Sequence, residues 1–499
     1  MVLSSKVKNN FGDIANWKWF VFIAILLRGA LWLYFGHLVN INLPADQKLY
    51  SYFIKDDYMY FFEPVDNFFR TGTFSYIHNV PFTGRMPGYS IVYFLYRLIF
   101  SQQLATYCVV ATQFILSSVS VYVLALTSYK LLKSKRAFYI TFCLYVLAVF
   151  PGSFDLIIVA ESFSVSALIF AFYFLVCYLQ NGYRIKHLIL SGAFLTWTIF
   201  LREYAGLLIV LFPLALGTYH LFIRKDGVLK SIRIGILFCL PFIIADGAWV
   251  IRNYLATKRF IPIETTNEES YGKLYSASWN AIEDLVYAWG ETGAPFDAGT
   301  LAYYYRTPAA KINYKFPVGI FKGITTYNAD SLVHLRQLYS TYYYTKDTVL
   351  ENTAEKTILN LCNLYKQDYI THNEFKYWVI RPIKGLKYTM FFSGTGYLPM
   401  PSFSQCNVIE KSIKIIFTML YYLVLTFAAI GLIIYIKHQR TSGLAQWLMI
   451  ASMLLIMVVL VFGSNIQEPR YSVHIFMMCI LFATYFIDKV LPVNPAKDS

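Results

Sequence analysis

Apolar residues run through this chain in long blocks separated by short polar turns. The blocks fall at about 17–38, 105–129, 137–151, 161–180, 187–201, 204–223, 232–251, 412–436, 443–463 and 471–488. Most approach or reach the roughly 20 residues that a helix needs to cross ~30 Å of hydrocarbon. The pattern predicts an all-α polytopic membrane protein with about ten transmembrane helices, the fifth being short. The first block is too long for a signal-peptide core and lacks a small-residue cleavage site, so it reads as a retained span.

Two stretches follow a different pattern. Tyr58, Phe61, Phe62, Val65, Phe68 and Phe69 recur at i, i+3, i+4 and i+7, with Glu63, Asp66, Asn67 and Arg70 on the other side. That spacing predicts an amphipathic helix lying in the headgroup layer and stopped at Gly72. Residues 87–100, PGYSIVYFLYRLIF, are apolar but short. They read as a second interfacial helix starting at Pro87, because counting them as a span would invert the side of every later loop.

The long interval 252–411 is rich in Tyr, Asn, Lys and Thr. Its YLATKRFIPIETTNEESYGKLYSASWN stretch looks loop- and strand-like, and DTVLENTAEKTILNLCNLYKQDYI looks helical. A mixed α/β extracytoplasmic domain is expected there. The chain then divides into an N-terminal membrane module at 1–251 with its first outer loop at 39–104, the outer domain at 252–411, and C-terminal membrane helices at 412–499.

Composition supports the membrane reading: 57% of residues are hydrophobic and 14% charged, where a soluble domain carries about a quarter charged. The net charge of +15 does not call for nucleic acid. Lys6, Lys8, Lys18, Lys130, Lys133, Lys135, Arg136, Arg184, Lys186, Arg224, Lys225, Lys230, Arg233, Lys437, Arg440, Lys489 and Lys497 all fall on one side of a ten-span chain. By the positive-inside rule that side, with both termini, is cytoplasmic. Cys362 and Cys406 share the outer interval and are candidates for a disulfide. There is no zinc spacing, nucleotide-binding loop or serine-hydrolase elbow. The chain has no Asn-x-Ser/Thr sequon, which favours a bacterial inner membrane over the endoplasmic reticulum.

The outer loops concentrate ionisable groups. Asp56 and Asp57 stand at the head of the amphipathic helix, where a carboxylate can also serve simply as an N-cap. FPGSFDLIIVAES carries Asp155 and Glu161, FLREYAG carries Arg202 and Glu203, WVIRNY carries Arg252, and SNIQEPRY carries Glu468 and Arg470. Glu203 beside Arg202, and Glu468 beside Arg470, also admit plain charge neutralisation. Ionisable groups at a membrane are expensive and tend to be functional. Acids and arginines on one face suit a phosphate-bearing ligand, with carboxylates available for base chemistry. Arg28 and Asp246 lie within spans and receive no role beyond a structural pairing.

DDYMY at 56–60, GRMPGYSIVYFLYRLIF at 84–100, FDLIIVAES at 154–162, FLREYAG at 200–206, WVIRNY at 249–254 and EPRY at 468–471 resemble, in order and in common side, the C-type (GT-C fold) glycosyltransferases that use polyprenyl-phosphate sugars. The likeness is to the bacterial branch related to protein O-mannosyltransferases and the lipid A aminoarabinose transferase. It covers most of the membrane part and says little about 260–410.

The resemblance implies an inverting transfer of a sugar from a polyprenyl-phosphate donor to a hydroxyl of a glycan, glycolipid or protein acceptor on the periplasmic face. It assigns Asp56 as catalytic base with Asp57 adjacent, and makes Arg85, Arg202, Arg252 and Arg470 candidates for the donor phosphate. Asp155, Glu161, Glu203 and Glu468 become acids that shape the site. Relatives often show Asp-Glu for this Asp-Asp, and Lys-Pro or His-Pro-Pro where this chain has Arg85-Met86-Pro87. No cofactor is expected. Asp56, Asp57 and Asp155 are oxygen ligands of the kind Mg²⁺ or Mn²⁺ takes, but relatives using monophosphate donors often work without metal. The reading from another class is a transporter or flippase for an anionic lipid or lipid-linked sugar. It would show inverted repeats meeting at mid-membrane, and this sequence shows none.

Overall fold

The computed structural model describes residues 14, 16–42, 53, 54, 57–77, 79–264, 268–291, 299–306, 315–438, 443–463 and 468–490. Among them, eight helices are long and apolar enough to cross a membrane: Trp17–Leu38, Gln102–Leu132, Glu161–Gln180, Glu203–Ile223, Val228–Thr257, Val408–Lys437, Leu444–Gly463 and Pro469–Val490. The chain is a polytopic membrane protein on that ground.

The N-terminal part comprises α1 (Trp17–Asn42), α2 (Tyr58–Thr71), α3 (Ser90–Arg97), α4 (Gln102–Leu132), α5 (Lys135–Val146), α6 (Glu161–Gln180), α7 (Ile185–Leu201), α8 (Leu208–Thr218) and α9 (Val228–Thr257). Two of the ten expected spans form helices shorter than a full membrane crossing. The block at 187–201 is α7, an apolar helix of 17 residues, and the block at 137–151 is interrupted after the 12 residues of α5. Ala148 is extended at that break and a one-turn helix follows at Val149–Gly152. Twelve residues rise only about 18 Å, short of the ~30 Å hydrocarbon core.

α6 and α7 form an antiparallel pair, so the start of one and the end of the other share one end of the bundle. The basic 130–136 turn lies at the opposite end, where Gln180 at the far end of α6 donates to the Lys130 carbonyl at 2.8 Å and Arg136 pairs with Asp488 at 2.9 Å. Gly192 of α7 has no room for a Cβ, because the Phe238 carbonyl of α9 presses on it.

The first loop folds as two short helices, as its pattern predicts. α2 ends where Gly72, at φ +78°, donates its N–H to Phe68 at 2.9 Å, a left-handed cap that favours glycine. α3 has only eight residues, too few to cross a membrane. Stacked rings join the two: Phe62 on Tyr93 at 3.6 Å and Phe61 on Tyr89 at 4.7 Å between centroids. The polar side of α2 is not left to water. Asp66 accepts from Arg97 Nε at 2.8 Å and from the Tyr93 hydroxyl at 3.1 Å, and Asn67 donates to the Ser75 carbonyl at 2.6 Å. Phe68 and Phe69, expected among the anchoring rings, are more than two-fifths exposed.

The outer domain corrects the mixed α/β expectation. Its described residues form no strand; α10 (Ala277–Ala288), α11 (Ala329–Tyr344) and α12 (Thr348–His372) pack together instead. Tyr, Ile and Thr near 254–280 suggested strands, but Ser276 caps α10 by accepting from the Trp279 N–H at 3.1 Å. From there Trp279, Ile282, Leu285 and Val286 make one helical face against Leu332, Leu335, Ile358 and Cys362. Cys362 and Cys406 are not bridged: Cys362 is in this core, and Cys406 donates to the Pro401 carbonyl at 3.2 Å. The remaining membrane helices are α13 (Val408–His438), α14 (Leu444–Val458) and α15 (Val473–Val490).

Candidate active site

The sequence GRMPG at 84–88 is held at both of its glycines. A Cβ on Gly84 would collide with the ring of Tyr271, whose hydroxyl donates to the Gly84 carbonyl at 2.7 Å. A Cβ on Gly88 would lie 2.6 Å from the Phe200 carbonyl carbon near the end of α7. The loop between them carries Arg85, and Arg202 follows immediately on the end of α7. Only glycine permits the approach that brings these two guanidiniums to one place.

Asp57 occupies the N-cap position of α2, yet its side chain caps nothing. Its Oδ2 faces Arg470 at 3.4 Å, Arg85 at 3.6 Å and Arg202 at 3.7 Å. Burial would raise this carboxyl, but the guanidiniums of Arg470, Arg85 and Arg202 outweigh it and hold it well below the usual carboxylate range. Glu161, at the start of α6 and fully buried, pairs with Arg202 and lies 3.5 Å from Arg470 Nε. Glu468 pairs with Arg470, and burial raises its carboxyl despite that partner. Arg85 also sits over the rings of Tyr60 and Phe61, at 5.6 and 5.4 Å.

Three arginines from three separate segments thus converge on one carboxylate. The Asp57 Oδ2, and the Nε of Arg85 and of Arg202, are buried without a hydrogen-bond partner. Buried orphan donors and acceptors are uncommon. Guanidiniums placed this way suit a tetrahedral oxyanion, which takes several N–H donors at once.

Other expected site residues are placed elsewhere. Arg252 donates to the carbonyls of Phe82 at 2.7 Å and Phe74 at 3.1 Å, so it clamps the first outer loop. Asp155 accepts from Arg28 at 2.9 Å and from the Ser162 hydroxyl at 2.7 Å inside the bundle. Asp246, which sequence reading left with Arg28, instead accepts the Ile263 N–H at 3.0 Å. Asp56 lies outside the described residues. Among the described residues no three His, Cys, Asp or Glu side chains gather as metal ligands would.

One site residue was missed. Glu264, in the outer segment after α9, has Glu203, Arg85 and Arg202 as its charged neighbours. Burial and the Glu203 charge push its carboxyl up to about 8, against the opposing pull of Arg85 and Arg202. It stands in no periodic stretch, and no sequence signal tied it to a loop nearly two hundred residues earlier.

No family model matches the chain, and no curated protein matches it. Among solved structures it is similar to the apo-state crystal structure of ArnT from Cupriavidus metallidurans, at 11% identity over 93% of this chain and 77% of that one, with a TM-score of 0.32. A likeness that distant carries no functional argument, and the reading of this chain rests on its own residues.

Proposed function

We propose that this protein is a membrane glycosyltransferase that moves a sugar from a polyprenyl-phosphate donor to an acceptor hydroxyl, with inversion. The observation that carries the reading is the convergence of Arg85, Arg202 and Arg470 on the Asp57 carboxylate at the head of a short helix. The motifs that deliver these residues are those that resemble the polyprenyl-phosphate transferases. In the orientation set by the positive charges, this end of the bundle faces the periplasm of a bacterial inner membrane and both termini are cytoplasmic.

Asp57 serves here as counter-ion to the arginines. A donor phosphate competes for the same guanidiniums, which keep their charge at any relevant pH. The prenyl chain lies in the bilayer and the sugar sits at the level of α2. A carboxyl at the site takes the acceptor proton, and the freed oxygen attacks the anomeric carbon. The bond from that carbon to the phosphate oxygen breaks, and the growing charge on the phosphate meets the arginines. One displacement inverts the anomeric centre. No metal or other cofactor takes part in this scheme, and the acceptor is a glycan, glycolipid or protein presented to the outer domain.

The test is turnover of radiolabelled polyprenyl-phosphate sugars by the full-length protein in lipid nanodiscs, with cell-envelope extract as acceptor. Labelled acceptor that disappears in Arg470→Gln supports the reading. Absence of transfer and of donor hydrolysis with every sugar, while liposomes carrying the protein move intact donor between leaflets, replaces it with a flippase.

A further inference from the structure

One imidazole joins the three segments that carry Glu161, Arg202 and Arg470. His474, in α15, is fully buried. Its Nε2 lies 2.7 Å from the Ser164 hydroxyl of α6, and its Nδ1 lies 2.6 Å from the Tyr204 hydroxyl just past the end of α7. The row closes on backbone at both ends: Ser164 Oγ lies 3.5 Å from the Thr198 carbonyl, and the Tyr204 hydroxyl lies 3.4 Å from the Tyr471 carbonyl. A neutral imidazole donates at one nitrogen and accepts at the other. Whichever nitrogen carries the proton, one hydroxyl donates to the ring and the other is left to donate to its carbonyl.

These contacts sit about one helical turn behind the charged site. Ser164 follows Glu161, Tyr204 follows Arg202 and His474 follows Arg470, each by two to four residues. The Thr198 carbonyl also accepts the Arg202 N–H at 2.9 Å, so the row reaches the backbone turn from which Arg202 departs. The Tyr471 ring lies near both guanidiniums, 5.4 Å from Arg202 and 5.6 Å from Arg470, and Tyr204 packs on it at 5.6 Å between centroids. A residue needed only to fill this space would be apolar, because buried polar groups cost free energy unless each is paired. A satisfied polar network instead specifies one arrangement of the elements it joins.

We infer that His474 and Tyr204 are positioning residues for the donor phosphate, fixing Arg202 and Arg470 at the spacing at which both face one anionic group. The inference deepens the transferase reading and rests on it. Arg202 and Arg470 lie 3.7 and 3.4 Å from Asp57 Oδ2. Two guanidiniums held that close repel each other whenever no anion lies between them. The network holds their backbones in register while one anion replaces another, and donors ordered in advance bind more tightly. His474 and Tyr204 act through the backbone of their neighbours, not by touching the ligand.

The test is binding of labelled polyprenyl phosphate to the full-length protein in nanodiscs, with affinity expressed per folded protein. Tyr204→Phe removes one hydroxyl, and His474→Phe removes both ring contacts while keeping an apolar ring. Each should weaken binding by about 10-fold, the worth of one or two hydrogen bonds. The double variant should bind no worse than His474→Phe alone, because the two residues serve one link. His474→Asn, which keeps a partner for Tyr204, should recover part of the loss. Variants that lower Tm but bind polyprenyl phosphate as wild type does, or losses that multiply in the double variant, overturn the inference and leave the transferase reading standing. If His474→Phe does not fold, Tyr204→Phe decides alone. A wild type that binds no polyprenyl phosphate defeats both.

Discussion

The α-carbon of Gly88 lies against the backbone of Phe200, so that any Cβ there would fall 2.6 Å from the Phe200 carbonyl carbon. This contact couples the first outer loop to the end of α7, and hence Arg85 to Arg202. Gly88→Ala must push the two backbones apart. Backbone cannot yield as a flexible side chain would, so the substitution should destabilise by about 1–3 kcal/mol. It should also lower turnover while Arg85 and Arg202 themselves remain. Thermal unfolding in detergent, alongside the transfer assay, checks both. A stable Gly88→Ala protein with full activity would show that the contact does not position the arginines.

If Asp57 competes with the donor phosphate for three guanidiniums, removing its charge frees them. Asp57→Asn should therefore bind polyprenyl phosphate more tightly than wild type. Arg470→Gln should bind it more weakly, by about 10- to 100-fold, as expected for one lost charge-assisted contact. Binding of labelled polyprenyl phosphate to nanodisc-held protein measures each. Parallel losses in the two variants would mean that Asp57 holds the ligand in place and does not stand in for it.

The two site carboxyls give opposite pH signatures in stability. Asp57 has its folded-state value depressed, so its contribution is present above the unfolded value near 3.8 and is lost as pH falls toward the folded one. Glu264 is raised from 4.5 to about 8, so the folded state binds the extra proton. Its effect is to lower stability as pH rises from about 4.5 to about 8, after which it is constant. Glu264→Gln should gain in Tm relative to wild type across that window. Asp57→Asn should fall short of wild type by an amount that is constant at neutral pH and shrinks only below about pH 4. A Glu264→Gln difference that does not vary with pH would place the proton elsewhere.

Much of this was legible because membranes impose simple patterns. Apolar block length gives the helices. Arg202 and Glu161 sit at the ends of such blocks, so their meeting follows from antiparallel connection alone. Other features depend on contacts that no local pattern encodes. Arg252 has the residue type and the position of a phosphate ligand, but the two carbonyls it holds belong to Phe74 and Phe82. In the outer segment, the β-propensity of Tyr and Ile gave way to the Ser276 cap and the packing of Trp279, as tertiary context commonly overrides propensity. Glu264 follows a segment that Trp249 and Asp246 of α9 hold by the Ile263 backbone, contacts that a single sequence does not rank.

Arg28 and Asp155 form a second buried pair, at 2.9 Å, with Ser117, Ser162 and the Tyr145 carbonyl completing their hydrogen bonds. Both side chains are almost wholly shielded, so each charge depends on the other. Arg28→Met leaves a buried carboxyl without its cation and should lower stability by about 3–5 kcal/mol. Removing both charges removes the penalty: Arg28→Met with Asp155→Leu should be nearer wild type than Arg28→Met alone, since an apolar replacement of a buried pair is often neutral. Thermal denaturation of the two single variants and the double variant, in one detergent, completes the cycle. Additive losses would show that the two groups are not energetically coupled. A double variant that recovers stability would identify the pair as a brace joining α1 to the segment before α6, separate in its task from the arginines that surround Asp57.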